Sequence, residues 1–399
     1  MSIYKELGVK RVINCMDTYT MLGGHIASPK VKAAMNEANS SFAWLWDLKK
    51  AACKRISELL GVEAVFITTG VYAAVAIGIA ACMTGNDIEK MKKLPDTNEM
   101  KNEIIMQNCL RDYKYDTAVI VAGGKLVEVG DQVVGCTPEQ IEDAINENTA
   151  AIHYMAHGTS GSFSDEKCKW VPLDQVIEIG HKHGVPIIVD AAFMCYPPEG
   201  FTKYVEMGAD LVAYSTKYFG GPNTAGLLLG RKDLIDVVNL HSFLNQEAGP
   251  KGKEFLVSGR YWVFNSVFRG YKLDRASIVG AVVALETYLD GLKNTDKLIK
   301  PSREKRNYII RALKDIPNII VDCPKGGTPL SLSLQITLKN KTPAETSEIV
   351  KELLSGNPEI WLVSRGNSLI INITSGRGLS LLVDGDEKII ADRLKSILS

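Results

Sequence analysis

Between residues 64 and 230 short apolar runs alternate with stretches of helical character, and this alternation constrains the fold more than any other feature of the chain. Ala64-Val65-Phe66-Ile67, Ile104-Ile105-Met106, Lys125-Leu126-Val127-Glu128-Val129, residues 150–155, 186–189, 209–214 and 225–230 read as strands. Helices are expected between them, over 71–83, 117–122, 138–144, 173–183 and 203–207. Strands that are apolar along their whole length, each followed by a helix, predict a mainly parallel sheet covered on both faces. A long helix over 277–292 then leads into a different pattern. Leu330-Ser-Leu-Ser-Leu-Gln-Ile-Thr-Leu alternates apolar and polar residues, a helix follows over 343–354, strands near 361–363 and 369–373, and a last helix over 386–398. The expected organisation is an irregular arm over 1–24, a large α/β domain over 25–276 and a smaller α+β domain over 277–399. Further helices are expected from Ser28-Pro29, a serine cap before a first-position proline, and over 46–60, where Gly61 stops the run.

In such a sheet ligands gather at the carboxyl ends of the strands. The residues just past those ends therefore matter most. Lys217 follows the 209–214 run and precedes Gly220-Gly221-Pro222. Apolar surroundings at a strand end disfavour the charged amine and lower its pKa, which is what an imine-forming lysine needs. The competing reading is a surface lysine at a strand end. Thr68-Thr69-Gly70 sits between a strand and an apolar helix, where unpaired N–H groups and the helix dipole favour an anion such as phosphate; a structural turn with two threonines fits the same residues. Asp190 ends the Pro186-Ile187-Ile188-Val189 run, and His157-Gly158-Thr159-Ser160-Gly161 follows the 150–155 run. A phosphate cradle, a carboxylate able to hold a pyridinium proton and an imine-forming lysine are the parts that pyridoxal 5'-phosphate requires.

The order T-T-G-x-x-A-A (68–74), H-G-T-S-G (157–161), V-D-A-A (189–192) and S-T-K-Y-F-G-G-P (215–222) resembles the fold-type-I pyridoxal-phosphate enzymes, in the branch around bacterial selenocysteine synthase. The resemblance spans nearly the whole chain. Val12-Ile13-Asn14, Tyr19-Thr20, Leu22-Gly23-Gly24, Leu126 to Gly130 and Met207 to Leu211 are similar to the smaller relatives of that synthase, which include D-glucosaminate-6-phosphate ammonia-lyases. The resemblance implies an aspartate-aminotransferase-like large domain and pyridoxal 5'-phosphate carried by Lys217 as an imine. It implies Asp190 as the pyridinium partner, Thr69 and Gly70 at the phosphate beside Thr68 of the same turn, with Ser215 as a further contact, and His157 against or near the ring. It also implies a homodimer or higher homo-oligomer. Several positions depart from the pattern on the presumed substrate side. Asp17 stands where relatives tend to have glycine, and Met21 where they have a basic residue. An acidic F-V-D-M-D-E-L entry is here Phe42-Ala43-Trp44-Leu45-Trp46-Asp47-Leu48. The arginine of an R-I-S or R-I-N strand is replaced in Leu369-Ile370-Ile371-Asn372. Arg269, Arg365 and Arg377 are candidates to bind a substrate carboxylate in its stead, against a reading of each as an exposed or packing arginine.

The expected activity is a lyase that eliminates ammonia or another group from a small amino acid or amino sugar acid. A selenocysteine-synthase-like transferase acting on seryl-tRNA, an aminotransferase, racemase or aldolase on the same fold, and a non-catalytic binding relative are the alternatives. Lys+Arg and Asp+Glu both number 46, so the formal net charge is zero and no whole-chain field draws in a nucleic acid. The eight cysteines are scattered with no zinc-ligand spacing, so no metal is expected. No apolar run reaches membrane-spanning length and no signal peptide is evident, which predicts a cytoplasmic setting.

Overall fold

The computed structural model describes residues 3–111, 113–156, 169–242, 267–324 and 326–399. The chain divides into two units, one of Met1–Ile26 with Thr287–Ser399 and one of Ala27–Glu286. In the first unit β1 (Val12–Asn14) is a three-residue strand. The second unit holds β2 (Ala64–Thr68), β3 (Glu103–Gln107), β4 (Lys125–Val129), β5 (Thr149–Met155), β6 (Ile187–Asp190), β7 (Leu211–Ser215) and β8 (Gly226–Gly230).

These seven strands form one sheet in the order β2-β8-β7-β6-β5-β3-β4. All neighbours are parallel except β8, which runs antiparallel to both β2 and β7. The central strands β5, β6 and β7 are buried at every position, as their unbroken apolar runs require, whereas the edge strand β4 is exposed at Lys125 and Glu128. The Val71–Thr84 helix is buried along almost its full length, and its Gly78 rests against Leu211, Leu228 and Ile188. That explains a helix with no polar face: it is the inner layer over the sheet. Ser28 caps the Pro29–Asn39 helix by accepting the Val31 N–H at 3.4 Å, and Thr137 with Gln140 forms a capping box on Pro138–Ala144.

In the first unit β9 (Ile319–Asp322), β10 (Ser333–Leu338), β12 (Val363–Arg365) and β13 (Ser368–Asn372) form an antiparallel sheet in the order β12-β13-β10-β9, while β11 (Glu359–Trp361) pairs in parallel with β1. β10 alternates buried and half-buried residues, the pattern that marked it in the sequence. The expected irregular stretch over 1–24 contains instead the Ile3–Glu6 helix and β1. It is tied down further by Asn372, whose N–H donates to the Cys15 carbonyl at 3.0 Å and whose side-chain amide donates to the Met16 carbonyl at 2.6 Å. Among the described residues no helix is long and apolar enough to cross a membrane.

Candidate active site

Strand register brings Thr68, Asp190 and Ser215 to one end of the sheet. Thr68, the last residue of β2, and Ser215, the last of β7, both pair with Gly226, the first residue of β8. The three lie in one row, which at the usual inter-strand spacing sets Thr68 and Ser215 about 10 Å apart. In the next strand Asp190 ends β6, paired with Ala213 on one side and Met155 on the other. Thr68, Asp190, Ser215 and Lys217 are all buried.

Each position has a local cause. Gly70 precedes the Val71–Thr84 helix with φ +85, a conformation that L side chains rarely adopt, and it caps that helix without a side-chain hydrogen bond. The N–H groups of the first turn are thus presented beyond the end of β2, where the helix dipole favours an anion. The Thr68 hydroxyl donates to the Gly70 carbonyl at 2.8 Å and holds the turn. Opposite it, a Cβ on Gly226 would stand 2.7 Å from the Gly70 carbonyl carbon, so only glycine lets β8 begin this close to the turn. Asp190 Oδ1 accepts the Ala192 N–H at 3.0 Å, which fixes the carboxylate beyond the strand end.

Lys217 lies on a single 3-10 turn, Thr216–Phe219, closed by Gly220. Thr216 is fully buried, and its hydroxyl lies between the carbonyls of Pro222 and Ala225. Phe219 packs edge-on against Phe201, ring centroids 5.4 Å apart. With its neighbours locked on both sides, the lysine backbone has little freedom. Its Nζ stands 4.8 Å from the Tyr218 ring centroid.

The remaining candidates are placed as follows. Thr69 lines a small void with Thr68 and Ala73. Arg269 is half-buried on the Val267–Gly270 turn of the second unit. In the first unit, Arg365 is exposed at the end of β12, opposite Ser368, and Arg377 is half-buried in the loop after β13, its N–H donating to Ser375 Oγ at 3.4 Å. His157 and its H-G-T-S-G run lie outside the described residues.

Two residues that the sequence reading passed over line the same region. Gly226 is one. Lys49 is the other: it shares the void behind the Thr68-Thr69 turn, and with Trp46, Cys53 and Phe66 it also lines a cleft of about 540 Å3 along β2 and the Lys232–His241 helix. Its signal was available, since Lys49, Ala52 and Ile56 form the buried stripe of the Leu45–Leu60 helix at helical spacing.

The donor set fits pyridoxal phosphate: a helix start open to an anion, a buried carboxylate for the ring nitrogen and a buried lysine for the aldehyde carbon. The family model for Cys/Met metabolism PLP-dependent enzymes matches residues 53–254. The chain is 36% identical to a Streptomyces 5'-C-glycyluridine monooxygenase-decarboxylase over 99% of its own length and 92% of that protein. It is 32% identical to the D-glucosaminate-6-phosphate ammonia lyase of Salmonella typhimurium over 73% of its length and 71% of that protein. A solved D-glucosaminate-6-phosphate ammonia-lyase superposes with a TM-score of 0.79 at 26% identity, covering 100% of this chain and 98% of the other. The chain therefore belongs to the pyridoxal-phosphate-dependent enzymes of fold type I, in the selenocysteine-synthase-like family.

Proposed function

We propose that the protein is a pyridoxal-phosphate-dependent lyase that eliminates ammonia or another group from a small amino acid or amino sugar acid, with Lys217 and Asp190 as its catalytic pair. The observation that carries this reading is the register that sets Thr68, Ser215 and Asp190 at one end of one sheet, with Lys217 two residues beyond. In this reading the first-turn N–H groups after Gly70, with the hydroxyls of Thr69 and Ser215, hold the phosphate, and Thr68 shapes the turn. Asp190 keeps the proton on the ring nitrogen. His157 lies against the ring, and Arg269, Arg365 and Arg377 are the candidates for the substrate carboxylate. Lys217 carries the cofactor covalently and then takes the proton from the substrate Cα. Bound there, pyridoxal phosphate supplies the electron sink that accepts the charge left at Cα. The likeness to D-glucosaminate-6-phosphate ammonia lyase supports elimination as the outcome.

A second reading has its own support. The relative that matches 99% of this chain is named as a monooxygenase-decarboxylase of a glycyl nucleoside, which favours oxygen-dependent loss of a carboxylate from a comparable amino acid. A transferase acting on seryl-tRNA is supported less, since the chain carries no net charge to attract a polyanion.

Borohydride reduction of the cofactor-loaded protein followed by peptide mapping should place the cofactor on Lys217, and Lys217→Ala should abolish the trapping. A tag on another lysine would sink the assignment. With a turned-over substrate, ammonia release without dioxygen uptake supports the lyase, whereas carbon dioxide release coupled to dioxygen uptake supports the second reading. We further propose at least a homodimer; a monomer by light scattering would overturn that.

A further inference from the structure

Lys49 occupies a position that a helix normally gives to an apolar residue. It is 6% exposed, on the stripe with Ala52 and Ile56 that faces the sheet, and its Nζ lies 3.5 Å from the centroid of the Phe66 ring. Burial pushes its pKa down to about 8, with the Cys53 thiol one turn on opposing the shift, so the site as it stands disfavours the ammonium. A hydrocarbon of the same length would fill this place without that penalty. The ammonium is thus held against the strand that ends at Thr68.

The neighbourhood points to a ligand. Phe66 and Thr68 are two apart on β2 and so project from the same face, with Cα atoms about 7 Å from one another. Lys49, Phe66, Thr68 and Thr69 line one small void together with Ala73 and Ile77 of the Val71–Thr84 helix. The lysine thus stands behind the turn whose N–H groups are presented to an anion, and its four-carbon stem lets the ammonium move along the Phe66 face toward that turn. Backbone N–H groups and hydroxyls bring no full positive charge to a phosphate dianion; an ammonium does.

We propose that Lys49 is a further cofactor-binding residue, whose ammonium meets the phosphate group held at the Thr68-Thr69-Gly70 turn. The inference rests on the reading of that turn as the phosphate site. It separates from a packing role because only the phosphate, and not the pyridine ring, should depend on Lys49.

The test is equilibrium binding of pyridoxal phosphate and of pyridoxal, which lacks the phosphate, to the full chain stripped of cofactor, for the wild type, Lys49→Met and Lys49→Arg. Loss of one charge-assisted contact should weaken pyridoxal phosphate by about 10- to 100-fold in Lys49→Met, with pyridoxal changed less than about 2-fold. Lys49→Arg, which keeps the charge, should retain most of the affinity. Equal loss for both ligands in both variants would make Lys49 a packing residue and overturn the proposal, as would no loss for either. If the wild type itself did not prefer pyridoxal phosphate to pyridoxal, the reading of the turn would fall instead. Normal preference with Lys217 still tagged by borohydride in an unweakened Lys49→Met would leave that reading standing and remove only Lys49.

Discussion

Asp190 and Asp210 are both buried aspartates of the central sheet, 4% and 2% exposed, and they stand at opposite ends of neighbouring strands. Asp210 immediately precedes β7, at the amino end. Its Oδ2 accepts the Ile187 N–H at 2.7 Å and lies 3.0 Å from His181 Nε2, and its Oδ1 lies 2.7 Å from Arg231 Nη1. One side chain thus ties the starts of β6 and β7 to the residue after β8. Asp190 ends β6 at the carboxyl end, where its Oδ1 accepts the N–H of Ala192, and it lies in the row of Ala213, two residues before Ser215. Equal burial therefore does not mean equal use. A carboxylate bonded at the amino ends of its strands clamps them; one at the carboxyl end, where ligands gather, is placed to meet a ligand.

The contrast breaks most sharply under substitution. Asp190→Asn keeps the shape and the acceptor for Ala192 but loses the charge proposed to hold a proton on the ring nitrogen. Turnover should fall by about 10^2–10^3-fold or more, with unfolding free energy changed by less than about 1 kcal/mol. A variant with near-normal kcat would end the proposed role of Asp190. Asp210→Ala should do the reverse. It leaves the Ile187 N–H buried without its acceptor, but Arg231 is 52% exposed and can turn to water. The cost should accordingly fall below that of a fully buried pair, at about 2–3 kcal/mol in urea unfolding, with pyridoxal phosphate affinity little changed. A large loss of cofactor affinity at unchanged stability would show that the two ends are not separable in this way.

How much of this the sequence disclosed depends on the range of the interactions concerned. β5, β6 and β7 are legible because strands buried on both faces must be apolar throughout; Asp190 stands out directly after one such run and Lys217 three residues past another. Thr68 to Gly70 was legible as a turn between a strand and an apolar helix. β1 was not: it has three residues, and its partner β11 lies near the other end of the chain, so no local pattern announces it. The strand expected near 361–363 is two strands in different sheets, β11 and β12, separated by the buried Leu362. β9 was also missed; it alternates half-buried and exposed residues in a run of only four. That β8 runs antiparallel depends on the strand pairing and is not written in its own residues. Lys49 was passed over for a different reason. A lysine on a helix is ordinarily read as part of a solvated face, and only its spacing with Ala52 and Ile56 says otherwise.

The smallest expected effect sets the conditions under which the two ends can be compared. His241 is fully buried, its Nε2 2.9 Å from Thr84 Oγ1 and its ring edge-on to Phe268 with centroids 5.5 Å apart. Burial pushes its pKa from 6.5 down to about 4. The folded chain thus holds His241 neutral to lower pH than the unfolded chain does, and the unfolded state binds the extra proton first. This contribution to stability is fully present above pH 6.5 and is lost as the pH falls toward 4. By pH 5.5 the loss should reach about 1 kcal/mol from this one group. His241→Gln, which cannot titrate here, should be less stable than the wild type at pH 7.5 but should show a shallower decline between pH 6.5 and 5. If the decline were equally steep in His241→Gln, another group would be responsible. Stability differences between the Asp190 and Asp210 variants therefore belong above pH 6.5, where protonation of His241 does not add to them.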